Sequence, residues 1–161
     1  MKVAAVVLSA LVFVPSAAAA TLTITITTPS PVTAPGVTLS GDDQTTTFTI
    51  VSKVAYTGTG NTAGWNLAAS QTQPKSGTNL IPYYQVTAGS SACSTGCTTS
   101  PTNSITYPIT LSGTAQKIYN AAVNTGRGTY NVTSTFKVSY PANAIVGTYA
   151  STVTLTVATG P

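Results

Sequence analysis

The chain has 161 residues, of which only six are basic and two are acidic, and its net charge at neutral pH is +4. The bases are spread along the sequence, which argues against nucleic-acid binding, since that needs clustered cations. There is no histidine or glutamate and the two aspartates are adjacent, which excludes a Ser-His-Asp triad and a separated carboxylate pair. We therefore expect no enzymatic activity, with a Ser–Lys pair left open.

The first 20 residues have the features of a secretory signal peptide. Lys2 gives a positive start, residues 3–14 form an apolar run, and residues 18–20 are alanines that suit cleavage. A membrane anchor is the alternative, but it needs about 20 apolar residues. We expect a mature domain of residues 21–161 with a net charge of +3 after loss of Lys2, located outside the cell at its surface.

Several stretches of the mature chain alternate apolar and hydroxyl side chains, the period of a strand with one buried face. This pattern predicts strands over residues 21–28, 45–56, 65–70, 79–87, 104–112, 129–140 and 148–158. Residues 116–123 predict a strand or a single helical turn, and residues 88–103, rich in Gly, Ser and Thr, predict a long loop. Seven to nine short strands without a long amphipathic helix indicate an all-β fold, a single antiparallel β-sandwich of the immunoglobulin-like, Greek-key type.

Trp65 is the only tryptophan in the chain. It shares one face of its predicted strand with Leu67 and Ala69, while Asn66, which lies between Trp65 and Leu67 in sequence, belongs to the other face. Because an indole buries more apolar area than any other side chain here, we expect Trp65 in the middle of the sandwich core.

Cys93 and Cys97 are the only cysteines, and Gly96 between them lets the chain turn. In an oxidising compartment we expect them to form a local disulfide. A zinc site would need about four ligands, and a redox pair usually has two intervening residues rather than three. We expect no metal and no cofactor.

Trp65-Asn66-Leu67 follows a glycine-containing loop, residues 57–64, and the chain closes on a turn and a Thr-rich strand, residues 140–157. This layout resembles the WxL domain of Gram-positive surface proteins. The family has a second Trp-x-Leu in its last strand, where this chain reads Val153-Thr154-Leu155, a degenerate second motif.

The resemblance implies a secreted protein that associates non-covalently with the bacterial cell wall, with peptidoglycan as ligand and Trp65, Asn66 and Leu67 as the binding motif. The alternative is that Trp65 and Leu67 are core residues without a ligand. Other surface proteins are further candidate partners, and we expect no transmembrane segment after signal cleavage.

A second hypothesis is a structural subunit of a surface fibre or coat that assembles by β-strand addition. Residues 21–28 read TLTITITT, with alternating apolar side chains and no charge, and suit a donor strand. Uncharged edges of this kind favour pairing with another chain, so self-association is expected.

Three smaller features have ordinary structural explanations. Asp42-Asp43 predicts a polar turn, with a weak calcium site as the alternative. Tyr83-Tyr84 places neighbouring rings on opposite faces, so one of them should be exposed. Asn131 begins an Asn-x-Thr glycosylation pattern inside a predicted strand.

Overall fold

A computed structural model describes residues 5–7, 21–28, 30–57 and 63–161 of the chain. Strands are the only regular secondary structure within these residues, which confirms the predicted all-β class. The strands are β1 (Ala5–Val7), β2 (Thr21–Ile26), β3 (Val32–Thr33), β4 (Gln44–Thr57), β5 (Trp65–Gln71), β6 (Lys75–Ser76), β7 (Asn79–Leu80), β8 (Gln85–Thr99), β9 (Ile109–Thr110), β10 (Gln116–Ala121), β11 (Arg127–Tyr140) and β12 (Ala150–Thr159). Five of these span only two or three residues, and the other seven span six to fifteen.

Two sheets pack face to face. The five-stranded sheet has the order β2-β4-β11-β8-β9 and is antiparallel throughout. The seven-stranded sheet has the order β10-β5-β12-β1-β3, with β6 also paired to β12 and β7 paired to β6. Its pairings are antiparallel except for β1 with β12. The predicted β-sandwich is therefore confirmed.

The centre of the five-stranded sheet is the β4–β11 pair, which runs through thirteen consecutive residue pairs with no register shift. Every second residue of β11 is buried, as the sequence alternation predicted. Phe48 and Phe136 stack with ring centroids 5.2 Å apart, and Tyr84 meets Phe48 edge-on at 5.7 Å. Aromatic pairs of this geometry stabilise a core beyond their buried area.

The prediction of a loop over residues 88–103 is wrong, because β8 continues as a strand to Thr99. β8 pairs with β11 along its length, and its register shifts absorb the extra residues as bulges. Pairing with a neighbouring strand has overridden a composition that favours loops.

The predicted strand over residues 104–112 is also wrong for most of its length, since only Ile109–Thr110 is a strand. Near the start of this segment, asparagine side chains and not a neighbouring strand accept hydrogen bonds from the backbone N–H groups. The Ser104 N–H donates to Asn120 Oδ1 at 2.8 Å, and the Ile105 N–H donates to Asn103 Oδ1 at 3.2 Å. Residues 116–123, left between strand and helical turn, form strand β10.

The predicted signal peptide lies almost entirely outside the described residues. Its residues 5–7 form β1, which lies between β12 and β3. Residues 58–62 of the loop before Trp65 are also outside the described part. Within that part, no helix is long and apolar enough to cross a membrane.

Candidate functional site

Trp65 is the first residue of β5, and its ring is fully buried. It pairs with Ala121 and Thr159, the last residues of β10 and β12, so it lies at one end of the sandwich and not in its middle as predicted. The indole packs against Tyr119 with centroids 5.8 Å apart, and its Nε1–H donates to the Gly126 carbonyl oxygen at 2.9 Å. The ring thus seals an end of the core.

Gly126 is the residue that closes over this ring. Its backbone has φ of 73°, and a Cβ there would lie 2.6 Å from Trp65 Nε1. The Gly126 N–H donates to the Thr99 carbonyl oxygen at 2.9 Å, which holds the turn against the end of β8. A side chain at this position would displace the indole.

The rest of the motif is also turned inward. Leu67 is fully buried, and Asn66 is 8 % exposed. The Asn66 amide donates to the Gly160 carbonyl oxygen at 2.8 Å, and the Gly160 N–H donates to the Gly64 carbonyl oxygen at 3.0 Å. These bonds tie the end of the last strand to the start of β5.

Val153-Thr154-Leu155, the degenerate second motif, lies on β12 beside β5. Leu155 pairs with Ala69, two residues along from Leu67, and both Val153 and Leu155 are buried. The structure therefore brings the two motifs onto neighbouring strands, where their apolar side chains form one stretch of core and present no surface to a ligand.

Cys93 and Cys97 form the predicted disulfide, within the bulged part of β8. Cys97 Sγ lies 3.2 Å from the Thr129 carbonyl oxygen on β11. The backbone of this bulge lies close to Gly128: a Cβ on Gly128 would be 2.6 Å from Cys97 Cα. The cysteines thus fix a bulge in a strand, where the sequence had predicted a loop.

The described aromatic side chains are buried or half-buried. Tyr84 is buried and Tyr83 is half-buried, so the prediction that one of these two rings is exposed is wrong. The Tyr130 hydroxyl donates to the Thr99 carbonyl oxygen and the Tyr149 hydroxyl to the Ile145 carbonyl oxygen, both at 2.8 Å. These rings provide no exposed stacking platform for sugars.

Four tyrosines have a raised pKa, and the shift is large for two of them, Tyr84 and Tyr140. Burial raises the pKa of Tyr140 to about 12, with the nearby Tyr149 adding to the shift. Burial also raises the pKa of Tyr84 well above its usual value, with Tyr140 as a smaller cause. Both phenols are neutral at physiological pH.

Asp42 and Asp43 lie in an exposed turn before β4. Asp43 Oδ1 accepts a hydrogen bond from the Ala142 N–H at 2.8 Å, so this carboxylate joins two turns of the five-stranded sheet. The described residues contain no group of three or more acidic, cysteine or histidine side chains placed to hold a metal.

An uncovered sheet margin, here called the open edge, is formed by the outward backbone of β2 and of residues 44–50 in β4. β2 pairs with β4 only over its six residues, from Thr21↔Thr57 to Ile26↔Ser52. The Thr27 and Thr28 N–H groups donate to the Val51 carbonyl oxygen at 3.0 and 3.3 Å. Beyond that point no other described strand pairs with residues 44–50 on this side, and the open edge carries no charged residue.

On the opposite side of the sandwich, the edges of both sheets are protected from pairing with another chain. β8 carries bulges and the disulfide, and β9 covers its first two residues. The margin of β10 is bound by the segment before β9, since the Asn120 N–H donates to Asn103 Oδ1 at 3.1 Å. Bulges and covering loops are the usual protection of sheet edges, and the described residues provide neither at the open edge.

An apolar groove lies where β11 ends and β4 begins. Tyr140, which pairs with Gln44, is one of its walls. The groove is lined by Val37, Leu39, Tyr140, Ile145, Val146, Gly147 and Tyr149. Ile145 and Val146 are 56 and 52 % exposed, which is unusual for large aliphatic side chains.

No protein-family model matches the chain, and no curated protein or solved structure is significantly similar to it. The resemblance to the WxL domain therefore stays a prediction, carried by the residues quoted for it.

Proposed function

We propose that this chain is a non-enzymatic structural subunit of an extracellular fibre or coat, and that its copies associate by β-strand addition at the open edge. The observation that carries the proposal is the uncharged backbone of residues 44–50, which pairs with β11 on one side and with no described strand on the other, beside a protruding β2. A row of free N–H and C=O groups is a template for another strand.

The open edge is stepped. β2 extends one strand further out than residues 44–50, a difference of about 4.8 Å, the spacing of paired strands. The protruding β2 of one copy therefore fits beside the recessed residues 44–50 of another.

The secreted location belongs to the same proposal. The signal-like start of the sequence motivates it, and the disulfide of Cys93 with Cys97 supports it, because such bonds persist mainly in oxidising compartments.

Sedimentation velocity over a protein concentration series tests the proposal. We expect wild-type protein to form dimers or larger species as concentration rises. Thr47→Lys/Thr49→Lys adds two charges at exposed positions of the open edge. This variant should associate at least about tenfold more weakly, because lysines on an edge strand oppose pairing.

Thr133→Lys/Thr135→Lys is the matched control, because it adds the same two charges on the same sheet face but in the central strand β11. This variant should associate like wild type, with far-ultraviolet circular dichroism confirming that all variants are folded. A folded wild-type protein that stays monomeric at every concentration would remove the proposal.

Non-covalent binding to peptidoglycan is the second candidate, favoured by the net positive charge. With Trp65 and Leu67 fully buried, the contacts would come from surface residues and not from the motif. Pelleting with isolated peptidoglycan across a salt series tests it, and a folded protein that never pellets would exclude it.

A further inference from the structure

The outer face of the five-stranded sheet is built from hydroxyl side chains with three cations among them. Strand register places Thr49 opposite Thr135 and Thr25 opposite Lys53. Residues on this face alternate with the buried ones of β4 and β11, so their side chains point away from the core. The β4–β11 pairing has no register shift, which keeps the face continuous along both strands.

Three of the five cations of residues 21–161 lie on this face: Lys53 on β4, and Arg127 and Lys137 on β11. Arg127 and Lys137 are ten residues apart on one strand, roughly 33 Å, and Lys53 lies opposite Asn131 between them. No aspartate lies on the face, since both are in the turn before β4. The face therefore carries three separated positive charges and no negative one.

The cations and hydroxyl groups of this face indicate the class of ligand that it would bind. Widely spaced cations separated by hydroxyl groups match a polymer that is both anionic and rich in hydroxyl groups. Duplex DNA is a poor match, because it carries a charge every 1.7 Å or so and needs clustered bases. A neutral glycan is also a poor match, because the described aromatic rings are buried or half-buried and cannot supply a stacking surface.

We propose that the outer face of the five-stranded sheet binds an anionic polysaccharide, with Lys53, Arg127 and Lys137 paired to its carboxylates and the threonine hydroxyls bound to its sugar hydroxyls. This binding goes beyond strand addition and does not depend on it, since it uses the face of the sheet and not its open edge.

Affinity electrophoresis of the purified protein through gels containing alginate, a carboxylated polysaccharide, tests the proposal. Wild-type protein should be retarded by alginate and not by dextran, and salt should release it. Lys53→Gln/Arg127→Gln/Lys137→Gln should weaken the interaction roughly tenfold, as three exposed ion pairs are lost.

The matched control is Lys75→Gln/Lys117→Gln, which removes two cations that lie outside the face. It should change retardation less than about twofold if the face is the site. Weakening by both variants in proportion to the number of cations removed would assign binding to net charge and overturn the proposal. Stronger retardation by DNA than by alginate, or no retardation by alginate, would also overturn it. Sedimentation velocity of the same variants measures strand addition separately, so that failure of polysaccharide binding can be told apart from failure of strand addition.

Discussion

Trp65 is best understood as the seal of one end of the core. Its ring is fully buried, its N–H is bound to the Gly126 carbonyl, and its position at the start of β5 sets it against the ends of β10 and β12. Its burial followed from the alternation of the strand. Its position and its partner did not, because Gly126 is 61 residues away and only the fold brings them together.

Replacing the indole tests this role. Trp65→Ala should lower the free energy of unfolding by about 3–5 kcal/mol through the cavity it leaves. Trp65→Phe should cost less, because it keeps an aromatic ring and loses mainly the bond to Gly126. Urea denaturation followed by circular dichroism measures both, and a loss below about 1 kcal/mol for Trp65→Ala would contradict a sealing role.

The buried tyrosines predict how stability falls at alkaline pH. The pKa of Tyr140 is raised to about 12 and that of Tyr84 is also raised, whereas an unfolded phenol titrates near pH 10, about its usual value. Above about pH 10 the unfolded chain loses protons that the folded chain retains, so stability present below that pH is lost as pH rises toward about 12.

Urea midpoints measured between about pH 8 and pH 11.5 should therefore fall at the alkaline end. Tyr84→Phe should flatten the fall while changing stability little at pH 7, because the buried Tyr84 hydroxyl has no hydrogen-bond partner among the described residues. An unchanged midpoint across the series would refute this account.

At the scale of elements, strands with a clean alternation were predictable and strands with bulges were not. β4 and β11 were anticipated nearly to their ends, because their apolar residues recur at every second position. β8 was predicted to be a loop from residue 88 onward, because its bulges break that period and its glycines and serines resemble a linker. Its identity as a strand depends on β11, a partner remote in sequence.

The disulfide should stabilise this bulged part of β8. Cys93→Ser/Cys97→Ser opens a five-residue loop, which should cost about 2 kcal/mol in the chain-entropy model. Wild type under reducing conditions should match the variant. Hydrogen exchange should accelerate near residues 93–99 but not at the Phe48–Phe136 stack, and loss of structure throughout the sandwich would contradict a local role.

At the scale of the whole molecule, the sandwich has one protected side and one open side. Bulges, the disulfide and a bound loop protect β8 and β10, whereas the open edge is uncharged and stepped. The sequence indicated the uncharged character of β2. The recess beside it became visible only in the structure, because it arises from the difference in length between β2 and β4.

Hydrogen–deuterium exchange on dilute and concentrated protein tests strand addition most directly. If copies associate as proposed, amides of β2 and of residues 44–50 will gain protection as the protein assembles, because their outward N–H groups become bonded. Amides of β8 and β10 will keep the same exchange rates. Assembly that leaves residues 44–50 as exposed as in the monomer, or that protects the β8 side instead, would contradict association at the open edge.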